Sequence, residues 1–282
     1  MSPEFELLSF KNVEYTYPCS QHPAVQNLTL RIPKHQRCAI IGRNGCGKTT
    51  LFRLANGLYR PKRGRIEWQG KPLNYDRKSL NQLRQKVGLV FQNPEQQLVA
   101  TTVEEDISYG LCNLGLPESE IAQRVQQTLL DFDLLNLADA PINYLSLGQK
   151  KRVSIADVMV LQPQLLLLDE PTAYLDPKQV QNFRTTLEKV HSRGTTILLA
   201  THNLDFVEAW ADWVFVMDSG EIVLEGTPET VFNQSQQIQE LGLGVPLIVT
   251  ALNAIQDELT LNQLTPLSAE QLQKIRQRIR QL

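Results

Sequence analysis

The sequence predicts an α/β fold: a mixed sheet with an antiparallel β layer ahead of it, an inserted helical block and a small helical C-terminal extension. Three observations predict it. Short apolar runs at 38–41, 87–91, 165–168 and 196–200 have strand length, and the four leucines of 165–168 suit a central parallel strand buried on both faces. Between 94 and 163 the spacing turns helical: Val103, Ile107 and Leu111 share one face, and Ile121, Val125, Leu129 and Leu130 another. The octet Gly42-Arg-Asn-Gly-Cys-Gly-Lys-Thr49 joins an apolar strand to a helix carrying Leu51, Leu54, Ala55 and Leu58.

Residues 5–17 and 28–32 carry β-formers bounded by proline and read as the antiparallel layer. Tyr17, near the end of the first strand, is either a base-stacking aromatic or a half-buried strand residue. The octet matches a glycine, four free positions, then Gly-Lys-Ser/Thr. Gly42, Gly45 and Gly47 let the backbone wrap closely, and the helix dipole and successive N–H groups favour a polyphosphate. Lys48 then reaches the β- and γ-phosphates, and Thr49 offers its hydroxyl to Mg²⁺. This helix stops near Gly57 and Pro61.

Residues 64–70 read as a hairpin-like strand. The strand at 87–91 delivers Gln92 to its carboxyl end, where ligands of open α/β sheets collect, although by position alone Gln92 is a loop amide. The helical block closes on Leu145-Ser-Leu-Gly-Gln-Lys150 and a helix through Val153, Ala156, Met159 and Val160. The run of leucines ends in Asp169 and Glu170, two carboxylates that no core accommodates. Asp169 is suited to hold Mg²⁺ through water, and Glu170 to orient or deprotonate an attacking water. Asp176 precedes a helix opened by Pro177. The strand 196–200 presents Thr201 and His202 at its carboxyl end, where His202 suits a γ-phosphate; His22, His35 and His191 have no such placement. Residues 213–217 and 221–224 form a closing hairpin through Asp218-Ser-Gly220.

After about residue 236 the tail changes character. Residues 241–246 read as a linker. Ser268 and Gln271 read as a capping box, with Leu267 stapled on Leu272, and Leu272, Ile275, Ile279 and Leu282 make an apolar stripe that needs cover from its own domain or a partner. Lys274, Arg276, Arg278 and Arg280 read either as a solvated face or as a contact for an anionic partner.

The 282 residues are 42% hydrophobic, with a formal net charge of −2 and a pI near 6.1. That balance provides no global basic field, so no nucleic-acid partner is expected. Four cysteines without a Cys-x-x-Cys pair and an N-terminus without a signal pattern fit a reduced cytoplasmic setting. No apolar stretch approaches the roughly 18 residues of a bilayer span, so the chain is not itself a channel or carrier. Cys46 sits at a helix N-terminus, a position that favours thiolate, and is either unusually reactive or a filler.

In kind, order and spacing these motifs make residues 1–235 resemble the ATP-binding cassette ATPases, with a helical subdomain at about 94–163 and a C-terminal extension at 236–282. The resemblance implies an ATP- and Mg²⁺-dependent ATPase. It makes Tyr17 the adenine-stacking aromatic and residues 42–50 the Walker A loop, so that Asn44, Gly45, Cys46, Gly47, Lys48, Thr49 and Thr50 surround the phosphates. Gln92 becomes the Q-loop glutamine, Asp169 and Glu170 the Walker B acids, Asp176 the D-loop aspartate and His202 the switch histidine. Residues 145–149 become the signature, of which Ser146, Gly148 and Gln149 contact the nucleotide of a second, head-to-tail cassette. Leu147 departs from the usual glycine there, and because leucine resists positive φ its backbone is expected to be ordinary.

With one phosphate loop and no internal repeat, the second ATPase subunit is expected to be another copy or a paralogue. Residues 91–98, 226–232 and 241–246 resemble the energy-coupling-factor ATPases, particularly the cobalt/nickel type. This implies a subunit peripheral to the cytoplasmic side of the cell membrane that works with a transmembrane coupling protein and a membrane substrate-binding protein, for cobalt, nickel or vitamin uptake. The extension helps two copies associate in that group. A non-transport cassette ATPase and a nucleotide sensor that does not turn over are the other readings.

Overall fold

The structure, a computed structural model, describes residues 6–261, 265 and 267–280. The expected strand start at Phe5 and the last apolar position, Leu282, lie outside the described residues. Strands β1 (Glu6–Tyr15), β2 (Val25–Pro33), β4 (Arg63–Trp68) and β5 (Lys71–Pro72) form the antiparallel layer, in the order β2-β1-β4-β5. The main sheet contains β3 (Arg37–Ile41), β6 (Val87–Val90), β7 (Leu165–Asp169), β8 (Thr196–Ala200), β9 (Trp213–Asp218) and β10 (Glu221–Gly226), in the order β10-β9-β3-β8-β7-β6. Its strands pair in parallel except for the antiparallel hairpin β9-β10, which makes the sheet mixed, as expected.

The period of two along each central strand divides the interior into two cores. Ala39 and Ile41 of β3, Leu166 and Leu168 of β7, and Ile197 and Leu199 of β8 face the helices. Cys38 and Ile40, Leu165 and Leu167, and Leu198 and Ala200 face the antiparallel layer. Each buried leucine contributes about 2 kcal/mol, and burial on both faces is why these strands read as continuous apolar runs. The carboxyl ends of β3, β6, β7 and β8 consequently emerge together at one edge.

Helix α1 (Lys48–Ala55) follows β3, and α2 (Arg77–Lys86) leads into β6. Between β6 and β7 stands the helical block, with α3 (Val103–Cys112), α4 (Glu118–Asp131) and α5 (Leu147–Met159). Its apolar faces are buried as the spacing predicts, except that Leu130 is 52% exposed, because Leu129 alone of the pair faces α5 and α3. Helices α6 (Pro177–Ser192) and α7 (Leu204–Trp210) follow β7 and β8.

The C-terminal part differs from the sequence reading. It holds α8 (Pro228–Phe232), α9 (Ser235–Glu240), α10 (Leu247–Leu261) and α11 (Ala269–Arg280), of which the sequence predicts only α11. The start of α10 has no local cap of the usual kind: the Leu247 N–H donates instead to Asp205 Oδ1 of α7, at 2.7 Å. Ile238 of α9 and Val249 of α10 join the helical-side core. The capping box at Ser268 and Gln271 is present. Arg276 is not on a solvated face: it is buried and donates to Asn233 Oδ1 at 2.9 Å.

Candidate active site

The turn from β3 to α1 is locked by sterics. Gly47 caps α1 with φ +113°, and a Cβ there would stand 2.5 Å from the Ala24 carbonyl oxygen. A Cβ on Gly42 would stand 2.2 Å from the Met217 carbonyl oxygen. Gly42 and Gly47 are thus wedged against backbone that leaves no room for a side chain at either position, and α1 begins without a side-chain cap. Lys48 is buried and its Nζ donates to the Gly42 and Arg43 carbonyls at 2.7 and 3.1 Å.

Tyr17, Asn44, Gly45, Gly47, Lys48, Thr49, Thr50, Gln92, Asp169, Glu170 and His202 line one open cleft of about 770 Å³. Thr49 Oγ1 donates to Asp169 Oδ2 at 2.7 Å, bringing the hydroxyl of α1 against the carboxylate that ends β7. Burial pushes the Asp169 carboxyl above its ordinary range, opposed by the Thr49 hydroxyl and the Lys48 ammonium. A hydroxyl, a carboxylate and the amide of Gln92 form an all-oxygen donor set suited to Mg²⁺. Glu170 is buried with φ +45°, and His202 Nδ1 lies 2.9 Å from its Oε2. The Tyr17 hydroxyl bonds Thr50 Oγ1 at 2.9 Å, and its ring stands edge-on to Tyr15 and Tyr59.

One expectation is modified. Cys46 does not line the cleft: its side chain is buried behind the loop, and burial holds its thiol above the ordinary range despite Lys48. The helix end therefore loses to desolvation, and a reactive thiolate is not supported. Ser146, Gly148, Gln149 and Asp176 lie apart from the cleft. Ser146 caps α5 in a box with Gln149, Asp176 caps α6 in a box with Gln179, and a Cβ on Gly148 would meet the Gln179 side chain at 3.1 Å. Leu147 takes the first helical position with no positive φ, as expected of leucine.

Ala24, Ala173 and Tyr174 also line the cleft without having been anticipated. Tyr174 is 87% exposed with φ +64°, and nothing in the local sequence announces either property.

A parallel sheet that presents a phosphate loop, two acids and a histidine at one edge defines a nucleoside-triphosphatase of the phosphate-loop class. The ABC transporter family model matches residues 25–173. A putative ABC transporter ATP-binding protein of Nostoc sp. (strain PCC 7120) is 64% identical over 242 residues, covering 86% of this chain and 88% of that protein. The energy-coupling factor transporter ATP-binding protein EcfA of Methanocaldococcus jannaschii is 40% identical, covering 86% of both. Among solved structures, cbiO1 from Clostridium perfringens, part of the ABC transporter complex cbiONQ, superposes with a TM-score of 0.77 at 40% identity, over 89% of this chain and all of that one. A dimeric ATP-binding cassette in a post-hydrolysis state with ADP and Pi gives 0.72 at 27% identity, over 79% and 99%.

The chain belongs to the ABC transporter family as an ATP-binding subunit, with ATPase activity, and its relatives include the energy-coupling factor transporter ATP-binding proteins. Among the described residues, no helix is long and apolar enough to cross a membrane.

Proposed function

We propose that this chain is the ATPase of an energy-coupling-factor importer, peripheral on the cytoplasmic face of the membrane, working as a head-to-tail dimer beside a transmembrane coupling protein and a membrane substrate-binding protein. The single observation that carries the proposed site is the convergence of Lys48, Asp169, Glu170 and His202 on one cleft. Tyr17 stacks the adenine, while the N–H groups of residues 44–50 and the Lys48 ammonium hold the phosphates. Thr49, Asp169 and Gln92 would hold Mg²⁺, which would supply positive charge against the triphosphate. Glu170 orients the water and accepts its proton, and His202 holds Glu170 and the γ-phosphate in register.

Ser146, Gly148 and Gln149, on the other surface, complete the nucleotide site of the second subunit, and Asp176 borders it. Separation of the two groups on one chain supports this division of labour, because neither half encloses a triphosphate alone. The apolar positions of α11 and the rest of 236–282 serve association of the two ATPase subunits, and the 94–163 subdomain passes closure to the membrane partners. Cobalt, nickel or a vitamin is the cargo, handled by the partners and not by this chain.

The test is Glu170→Gln in the full-length chain. It is expected to bind Mg-ATP with unchanged affinity, to lose about 10²–10⁴-fold in turnover and to accumulate dimers on sizing columns. Wild-type phosphate release by the variant would remove Glu170 from this role.

A further inference from the structure

The run Gln149-Lys-Lys-Arg152 lies in the first turns of α5. Lys150, its side chain 13% exposed, pairs with Glu95 at 3.1 Å, and Arg152, 32% exposed, with Asp133 at 3.3 Å. Lys151, between them, is 6% exposed. Its ammonium donates to two backbone carbonyls, those of Pro171 at 2.8 Å and Ala173 at 2.5 Å. Burying an ammonium is costly unless its N–H groups are satisfied, so these bonds hold the side chain in one place.

Both carbonyls belong to the turn that follows Glu170. Two backbone bonds close this turn from within. Its own backbone bonds, Ala173 N–H to the Glu170 carbonyl and Leu175 N–H to the Thr172 carbonyl, are both 3.2 Å long. Glu170 and Tyr174, neither of them glycine, adopt φ of +45° and +64° there, and such residues cost on the order of 1–2 kcal/mol each. From outside, the Glu170 N–H donates to the Ala200 carbonyl at 2.9 Å, and the Lys151 ammonium adds its two bonds on the side of α5.

We propose that Lys151 is a positioning residue for ATP hydrolysis, holding the Pro171 and Ala173 carbonyls so that the Glu170 carboxylate and the helix headed by Ser146 move as one body. The inference rests on the reading of Glu170 as the residue that orients the water. It extends that reading by connecting the surface that meets the second subunit to the carboxylate of its own chain through a single side chain. Burial pushes the Lys151 ammonium down to about 8, and the Glu170 carboxylate opposes the shift. On one side it faces the uncharged Val90, Phe91 and Pro94 after β6, Ser154 and Ile155 on α5, and Phe183 on α6, whereas the groove on its other side also carries Asp131, Asp133, Arg152 and Lys189. As pH rises through about 8, the grip loses its charge and weakens.

The experiment measures phosphate release, KM for ATP and nucleotide affinity of the full-length chain from about pH 6.5 to 9. Lys151→Met is expected to lower kcat at least about tenfold with KM changed less than about twofold. Wild-type kcat declines above about pH 8, and Lys151→Arg, charged throughout, shifts that decline upward by about one unit or more. Wild-type kcat in folded Lys151→Met, or a loss confined to KM, overturns the proposal. If Lys151→Met does not fold, the arginine variant decides: an unchanged alkaline decline, or a folded but inactive protein, overturns it as well. Glu170→Gln, run alongside, separates the two claims. Full activity there removes the reading of Glu170 itself, whereas an inactive Glu170→Gln beside a fully active Lys151→Met removes only the role of Lys151.

Discussion

His202 Nδ1 lies 2.9 Å from Glu170 Oε2, tying the carboxyl ends of β8 and β7 together at the mouth of the cleft. The two side chains differ in exposure, 69% for the imidazole against 9% for the carboxylate, so the histidine is the partner free to turn toward a ligand. His202→Ala is expected to lower kcat by about 100-fold while leaving Mg-ATP affinity within about twofold. Steady-state kinetics beside equilibrium nucleotide titration checks this. A matching loss in affinity would show that His202 serves ground-state binding instead.

Stability depends on pH through a second acid. Burial pushes the Asp157 carboxyl up to about 7, the Gln97 amide opposes this, and Asp106 of α3 adds to it. The folded chain therefore holds this proton more tightly than the unfolded chain. Its contribution is fully present below the ordinary carboxylate range and is lost as pH rises through about 7. Asp157→Asn keeps an acceptor for Gln97 and removes the charge. It is expected to stabilise the fold by about 1–2 kcal/mol at pH 8, with the gain shrinking towards pH 4, as read by thermal unfolding across that range.

Thiol labelling separates exposure from position in the helix. Cys19 and Cys112 are exposed, and Cys38 and Cys46 are buried. Iodoacetamide at about pH 8 is expected to modify the first pair in the native protein and the second only after denaturation, by peptide mass spectrometry. Rapid native labelling of Cys46 would contradict the burial of the phosphate loop's inner side.

Caps on the second surface carry a double signature. Ser146→Ala and Asp176→Ala each remove a side-chain acceptor from a helix start and are expected to cost about 1 kcal/mol in unfolding measurements. Neither residue lines the cleft, so ATP binding by the isolated chain stays unchanged while ATP-dependent dimer formation falls. Weakened binding to the monomer would place these residues in the wrong half-site.

What was legible in the sequence was local. Strand β7 announced itself because burial on both faces demands four consecutive leucines, and α6 because Asp176 and Pro177 signal a helix start in adjacent positions. The octet around Lys48 was legible because only glycine tolerates the contacts at Gly42 and Gly47. Helix α10 was not, since the group that receives its first N–H is Asp205, far away in the chain. Lys151 was not either, because a lysine that grips a distant turn and its ion-paired neighbours Lys150 and Arg152 are chemically alike in one dimension.

The sequence by itself determined the central strands, helices α1, α3, α4, α5, α6 and α11, the phosphate loop, the acids and histidine at strand ends, and with them the family. Tertiary structure alone decided which of these share a cleft, that Cys46 is shielded, that Arg276 is buried and that Lys151 grips the turn after Glu170. The reason is physical. Period, caps and glycine positions are properties of neighbouring residues, whereas desolvation and hydrogen-bond partnership depend on what the folded chain brings from elsewhere.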